Sequence, residues 1–260
     1  YEAYVEFGEA PNGGGIYVED GDLTFFRAAI RENHASEDGG GVYLLGDDEV
    51  ATMNCGGVDA EVLLNEADRH GGGIAGVGYV QVGTVENPTE MLIEGNEAEE
   101  EGGLMRVRDG ATVDIDNSDF INNRTNSGSG KGGGVFWLEN SGSNVTAHSS
   151  LFCNNSAKES GAVASLRSTG TSFTAQGSIF LENDSNDKGG VFHTETGATF
   201  TVTQNTFVLN DASSDGEALF ASGGSGTFHS NVVVDHNNEA FYQSGGSYSF
   251  DYNAFFDNGS

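Results

Sequence analysis

An apolar residue followed three positions later by asparagine recurs nine times along this 260-residue chain. The pairs are Ile30/Asn33, Val62/Asn65, Ile93/Asn96, Phe120/Asn123, Phe152/Asn155, Phe180/Asn183, Phe207/Asn210, Val234/Asn237 and Phe255/Asn258. Successive asparagines lie 32, 31, 27, 32, 28, 27, 27 and 21 residues apart, a mean of about 28 that falls in the range of stacked solenoid units. A small-residue segment leads into each unit. It reads Gly14-Gly15-Ile16, Gly40-Gly41-Val42, Gly72-Gly73-Ile74, Gly102-Gly103-Leu104, Gly133-Gly134-Val135, Gly161-Ala162-Val163 and Gly189-Gly190-Val191. Two weaker copies follow, Gly216-Glu217-Ala218 and Asn238-Glu239-Ala240.

Between these landmarks the side chains alternate with period two. In ATFTVTQNTF, Phe200 and Val202 fall on one face and Thr201 and Thr203 on the other, which is the pattern of a strand. No segment carries a 3.6-residue apolar stripe. A unit of about 28 residues is too short for a four-stranded propeller blade, so two or three short strands per unit are expected, wound into about nine coils. In-register stacking, about 4.8 Å per rung, turns the phenylalanines into a core column and the asparagines into a corner ladder. There Asn tolerates the left-handed region and bonds the rungs above and below. Glycine pairs permit a second tight corner.

Composition narrows the partners. Forty acidic residues against ten basic ones give a net charge of −30, which repels nucleic acid and anionic membrane surfaces. The reading adopted is a solvated acidic coat, with divalent cations or a saline habitat as the alternatives. Glu97 to Glu101 is the densest acidic run and reads as an exposed turn. No apolar stretch of about 20 residues could span a membrane. The chain begins at Tyr1 rather than Met, so a processed or excised piece is expected.

The tetrapeptides FINN, FCNN, FLEN, FVLN and FFDN, with GGLM, GAVA and GGVF, resemble the GG[A/L/V/I] and FxxN repeats of bacterial polymorphic outer-membrane proteins. The likeness spans nearly the whole chain. It implies a right-handed parallel β-helix, surface exposure and adhesion. The chain departs from it in using GGG early, in placing Ile or Val for Phe in units one to three and eight, and in lacking a C-terminal membrane barrel.

Chemistry-bearing residues are sparse. Cys55 and Cys153 fall three rungs apart and are expected to stay free. Asp114 and Asp116 share a strand face but read as an outward solvated pair. Lys131, Lys158 and Lys188 are unclustered in sequence, Lys158 and Lys188 falling in equivalent turns. Acidic-sugar lyases of this fold need such cations beside the substrate carboxylate, and the DD and GHG motifs of pectin-hydrolysing relatives are absent. His34, His70, His148, His193, His229 and His236 lack helical zinc spacing and read as single surface residues. Asp20-Gly21-Asp22 is a fragment of a calcium loop, so charge alone, not a motif, argues for calcium. Thr146, Thr174 and Thr201 face outward, and one TxT is too little for an ice-binding face. Tyr17, Tyr43, Phe136 and Phe192 follow the glycine pairs at one position and read as packing or a sugar ladder. The glycosylation sequons NRT, NVT, NNS, NDS and NGS mostly arise because the motif asparagine precedes Ser-rich turns, and they are discounted.

The expectation is one all-β domain over residues 1–260. It acts as a non-enzymatic, secreted or cell-surface structural or adhesive β-helix. No catalytic, cofactor-binding or metal residue is assigned. End-to-end self-association into filaments and a surface glycan or protein receptor are the expected partners. The alternative is a carbohydrate-active enzyme, a polysaccharide lyase or hydrolase, which would show convergent carboxylates with a cation or base in a groove.

Overall fold

The computed structural model describes residues 3–46, 51–56, 60–83, 91–126, 131–195 and 197–259. Tyr1 and Ser260 lie outside them. The described residues contain strands and no α-helix, hence no helix able to cross a membrane. The strands assemble into four parallel sheets, A to D, of ten, eight, nine and nine strands. Each coil passes through B, C, D and A. In the fifth coil these strands are Arg124–Thr125, Phe136–Leu138, Asn144–His148 and Leu151–Cys153. Each pairs in parallel with its equivalent in the next coil. Eight coils are complete. Ala3–Glu6 of sheet A precedes them, and a ninth coil has only C, D and A strands.

Four strands per unit exceed the two or three expected. The extra one belongs to sheet B, which from the third coil on uses two-residue strands such as Glu66–Ala67. Two residues place one side chain outward and one inward, so no alternation is there to be read.

The core is a stack of rings. Phe120, Phe152, Phe180 and Phe207 form the sheet A column with centroid separations of 4.7, 5.0 and 4.7 Å and nearly parallel planes. Phe136 and Phe192 from sheet C and Phe228 from sheet D pack against them edge-on or tilted, and Phe173 and Phe200 from sheet D pack on Phe192 in turn. All nine are buried. Sheet B contributes only small inward residues, Ala35, Ala67, Ala98, Ala157 and Ala212 among them.

The asparagine column forms as a buried ladder from Asn33 to Asn210. Asn155 Nδ2 donates to Asn183 Oδ1 at 3.0 Å and to the Phe120 carbonyl at 2.9 Å, while its own Oδ1 accepts from the backbone N–H and Nδ2 of Asn123. One amide therefore ties three rungs together. The left-handed residue is the one before each asparagine: Glu32, Leu64, Asn122, Asn154, Glu182 and Leu209 have φ of 52 to 57°. The unfavourable backbone of an ordinary L-residue there costs about 1–2 kcal/mol. The buried amide bonds offset it.

Two register differences follow from the coordinates. The eighth ladder position is His236, not Asn237: Val233, not Val234, pairs with Phe207 and Phe255. The asparagine at 237 is therefore one residue off the column. In the first three coils the tight corner uses the first two glycines of each GGG run, so Ile16, Val42 and Ile74 align with Met105, Phe136 and Phe192. The expected aromatic set therefore splits. Tyr17 and Tyr43 point outward, whereas Phe136 and Phe192 lie in the core.

A second ladder, missed in the sequence, lines the D-to-A corner through Ser118, Ser150, Ser178, Asn205, Asn231 and Asn253. Its signal is a Ser or Asn two residues before the core apolar residue.

Phe180→Ala should lose about 3–5 kcal/mol of unfolding free energy, as large aromatic truncations in filled cores do. Asn155→Ala should lose more than about 2 kcal/mol by leaving two donors of Asn123 unsatisfied. Urea denaturation reads both; a loss under 1 kcal/mol at either site contradicts the buried columns.

Candidate functional site

The corner from sheet B to sheet C gathers the densest ionic cluster. Just before the glycine corner, Asp38, His70 and Glu101 stack in register in coils two to four. His70 is buried, with Nδ1 2.7 Å from Asp38 Oδ1 and Nε2 3.2 Å from Glu100 Oε2. Arg106, projecting from sheet C, reaches Glu101 Oε2 at 3.1 Å and Glu139 Oε1 at 2.5 Å. Lys131 pairs with Glu100. Burial alone would raise the Asp38 carboxyl, but the His70 hydrogen bond and charge, with Arg69 and Arg106, outweigh it and hold the pKa below its ordinary value.

This cluster brings together a histidine, four carboxylates and two cations, of which the sequence had grouped only Glu100 and Glu101, as members of the acidic run. Two expectations change with it. The Glu97 to Glu101 run is not an exposed turn: Glu97 and Ala98 form a strand and Glu101 is buried. The histidines are not all surface residues either: His70, His193 and His236 are buried. The cluster is paired within itself, Glu101 Oε2 alone being buried with ion-pair contacts but no hydrogen bond. Each carboxylate already faces a cation or the imidazole, so the group braces coils two to five.

Beside it, the outer face of sheet C carries the true outward column: Tyr17, Tyr43, Ala75, Arg106, Trp137, Ser165, His193, Phe220 and Tyr242. His193 stacks on Phe220 at 5.3 Å and Phe220 on Tyr242 at 5.2 Å, with planes 15° and 5° apart. Rings stacked along the axis turn edges, not faces, to solvent. They pack rather than offer a sugar platform. Arg167 covers Trp137 and Lys188 covers Phe220, each 4.9 Å from the ring centroid. Five of the ten basic residues, Arg106, Arg108, Lys131, Arg167 and Lys188, thus border this one face.

The remaining candidates stay apart. Asp114 and Asp116 share the outer face of sheet D, beside Thr146 and His148 of the next rung. Burial, then Asp114, raises the Tyr79 hydroxyl. Lys158 and Lys188 share a turn but not a column, because Lys188 aligns with Ser160. Cys55 and Cys153 are free, and burial raises both thiols. The threonine column extends through Thr227 as four consecutive rungs. Asn123 and Asn183 of two sequons are buried ladder residues and cannot carry a glycan. Asp20 sits at positive φ and Asp22 accepts from Thr52 Oγ1. His34, Glu66 and Asp68 place ligand-type atoms within 4.8 Å of one another on sheet B, but His34 Nε2 is already bonded to Asp68. A depression of about 390 Å³ beside them is lined by Glu66, Glu94, Glu97 and Arg124, and Arg124 is committed to Glu97.

Comparison of the chain with protein-family models, curated proteins and solved structures returns no match.

Burial, with the Arg167 and Lys188 charges, pushes the His193 imidazole down to about 3. Arg167 Nη1 lies 3.0 Å from Nδ1 and can only donate, so Nδ1 must be a lone-pair acceptor. The unfolded chain takes up a proton near pH 6.5, so this group makes stability fall as pH drops from about 6.5 toward 3. His193→Phe should remove that part. Urea unfolding at pH 7 and pH 5 should show the wild type losing more stability than the variant; equal losses would show the ring to be solvated.

Proposed function

We propose that this chain is a non-catalytic structural or adhesive rod, secreted or displayed at a bacterial cell surface. The observation that carries the reading is the uninterrupted axial bonding. Amide, hydroxyl and ring ladders run from coil to coil, and the densest ionic cluster is consumed by its own pairs. Enzymes of solenoid folds need the opposite, an open groove with an acid or base left unpaired. The solvated faces suit a stiff spacer or a contact surface. The exposed apolar residues Ile179, Leu209 and Val232 on and beside sheet A offer one such surface to a protein or glycan receptor. The end coils carry Tyr4, Phe7 and Phe26 at one end and Tyr252, Phe255 and Phe256 at the other, all exposed. Further coils of a longer chain, or a second copy, would cover them.

The carbohydrate-active reading has one observation in its favour, the convergence of His70 with Glu101, Glu139 and Arg106. A panel of neutral and acidic polysaccharides, assayed for new reducing ends and for the absorbance of unsaturated products, separates the two. No turnover is expected. Turnover lost in His70→Ala, or in the Asp114→Asn/Asp116→Asn pair, while the variant stays folded, would replace the adhesive reading with the enzymatic one.

A further inference from the structure

Sheet B stops one coil before the others. Its last strand is Asp211–Ala212, while sheets C, D and A continue through Phe241–Gln243, Ser247–Asp251 and Ala254–Phe256. The chain runs from His236 to Phe241 without a B strand, so the ninth coil cuts its corner. This shortcut leaves room for a long side chain, where the earlier coils carry glycine or, at Ala162 in the sixth, no more than a methyl group. At the equivalent corner a Cβ added to Gly40, Gly72, Gly103, Gly134 or Gly190 would meet the backbone of the next coil at 2.1–2.4 Å. In the eighth coil the same position is Glu217, and it is wholly buried.

Only half of the Glu217 carboxylate is satisfied. Oε1 accepts from Asn238 N–H at 2.9 Å and Nδ2 at 2.8 Å. Oε2 is buried with no hydrogen-bond partner, and the Asp211 carboxyl lies within hydrogen-bonding reach of Glu217. Two ionised carboxylates are both acceptors, so joining them takes a donor or a cation between them, and their mutual repulsion favours the cation. Asp184 stacks directly against Asp211 in sheet B. The Asp184 column reaches a cation only at Arg124, two rungs on. Burial, then Asp211, raises the Asp184 pKa.

His236 adds to the deficit. Its Nδ1 lies 3.0 Å from Asn258 Oδ1. That oxygen also accepts from the His236 backbone N–H, while Asn258 Nδ2 donates to the Val233 carbonyl. The amide orientation is therefore fixed and Nδ1 carries the hydrogen. Nε2 is left as a buried lone pair with no donor. In sheet B each strand donates its N–H groups back to the preceding coil, as Asp211 does to Asn183 and Ser213 to Ser185. The Asn210 and Ala212 carbonyls thus face the place where a ninth strand would lie. Acceptors converge on this end from side chains and backbone alike.

We propose that the end of sheet B binds a divalent cation of the calcium class, bridging Glu217 Oε2 and the Asp211 carboxylate. The donors are hard oxygens, one carboxylate is exposed and open to water ligands, and backbone carbonyls stand nearby. That set suits a large cation with flexible oxygen coordination better than a tetrahedral zinc ion. The bound ion ties the corner of the eighth coil to the segment 236–240 that crosses it.

The test is calcium titration of the EDTA-treated 260-residue chain in high salt, where diffuse attraction to the −30 charge is screened. Calorimetry gives stoichiometry and thermal unfolding gives the shift, with magnesium at equal ionic strength as the comparison. One saturable site is expected, with calcium raising the melting temperature more than magnesium. Asp211→Asn, at an exposed position, should keep the fold and weaken calcium at least tenfold; Glu217→Gln should do the same. Asp68→Asn should leave binding unchanged. The proposal is overturned by any of three results. One is a wild type without a calcium-specific site. Another is calcium binding retained in Asp211→Asn or lost in Asp68→Asn. The third is a calcium-indifferent wild type whose stability falls as pH rises above the ordinary carboxylate range, a slope abolished in Glu217→Gln; that result assigns the bridge to a shared proton.

Discussion

Everything in this molecule depends on parallel strands stacking in register, so that each residue meets its own equivalent one rung away. At about 4.8 Å that spacing allows a phenylalanine to stack on a phenylalanine and an amide to bond the next amide. Where the chain turns against the following coil it leaves room for little more than glycine, with the methyl group of Ala162 in one coil. The Asn33 to Asn210 ladder and the glycine corners are two consequences of one spacing. The first satisfies buried polar backbone at a bend, where an orphaned group costs about 1–3 kcal/mol. The second keeps carbonyls at hydrogen-bonding distance.

The same constraint makes deviations informative. Like charges stacked at one rung repel, so an acidic solenoid must dilute or neutralise its columns. On sheet C and the adjoining corner it does so with Arg106, Lys131, Arg167 and Lys188, which pair with Glu100, Glu101, Glu139 and Glu195 or cover Trp137 and Phe220. At the end of sheet B it does not: Asp184, Asp211 and Glu217 follow one another without a cation. That is why a glutamate in a glycine position and a histidine in an asparagine position matter more there than elsewhere.

The repeat period, the core column and the asparagine ladder were legible because each is a fixed residue type at a fixed offset, and stacking turns offset directly into contact. Asp114 and Asp116 were legible as an outward pair for the same reason, since alternation sets the face of a strand. The αL residue escaped, because it is Glu, Leu or Asn in different coils and its conformation is imposed by the bonds on either side. The Ser/Asn ladder at the second corner escaped because two residue types share one role.

The sequence by itself determined that the chain winds as a parallel all-β solenoid and that the Phe120 to Phe207 column fills its core, because a fixed residue type at a fixed offset admits one stacking. Only the tertiary structure decided register within a glycine run, where GGG offers two alignments of equal composition, and so sent Tyr43 outward and Phe136 inward. It also decided which histidines are buried and which charges meet. His70 and Glu101, or Glu217 and Asp211, become neighbours through the turns and shortcuts of the coil, whose lengths carry no periodic signal.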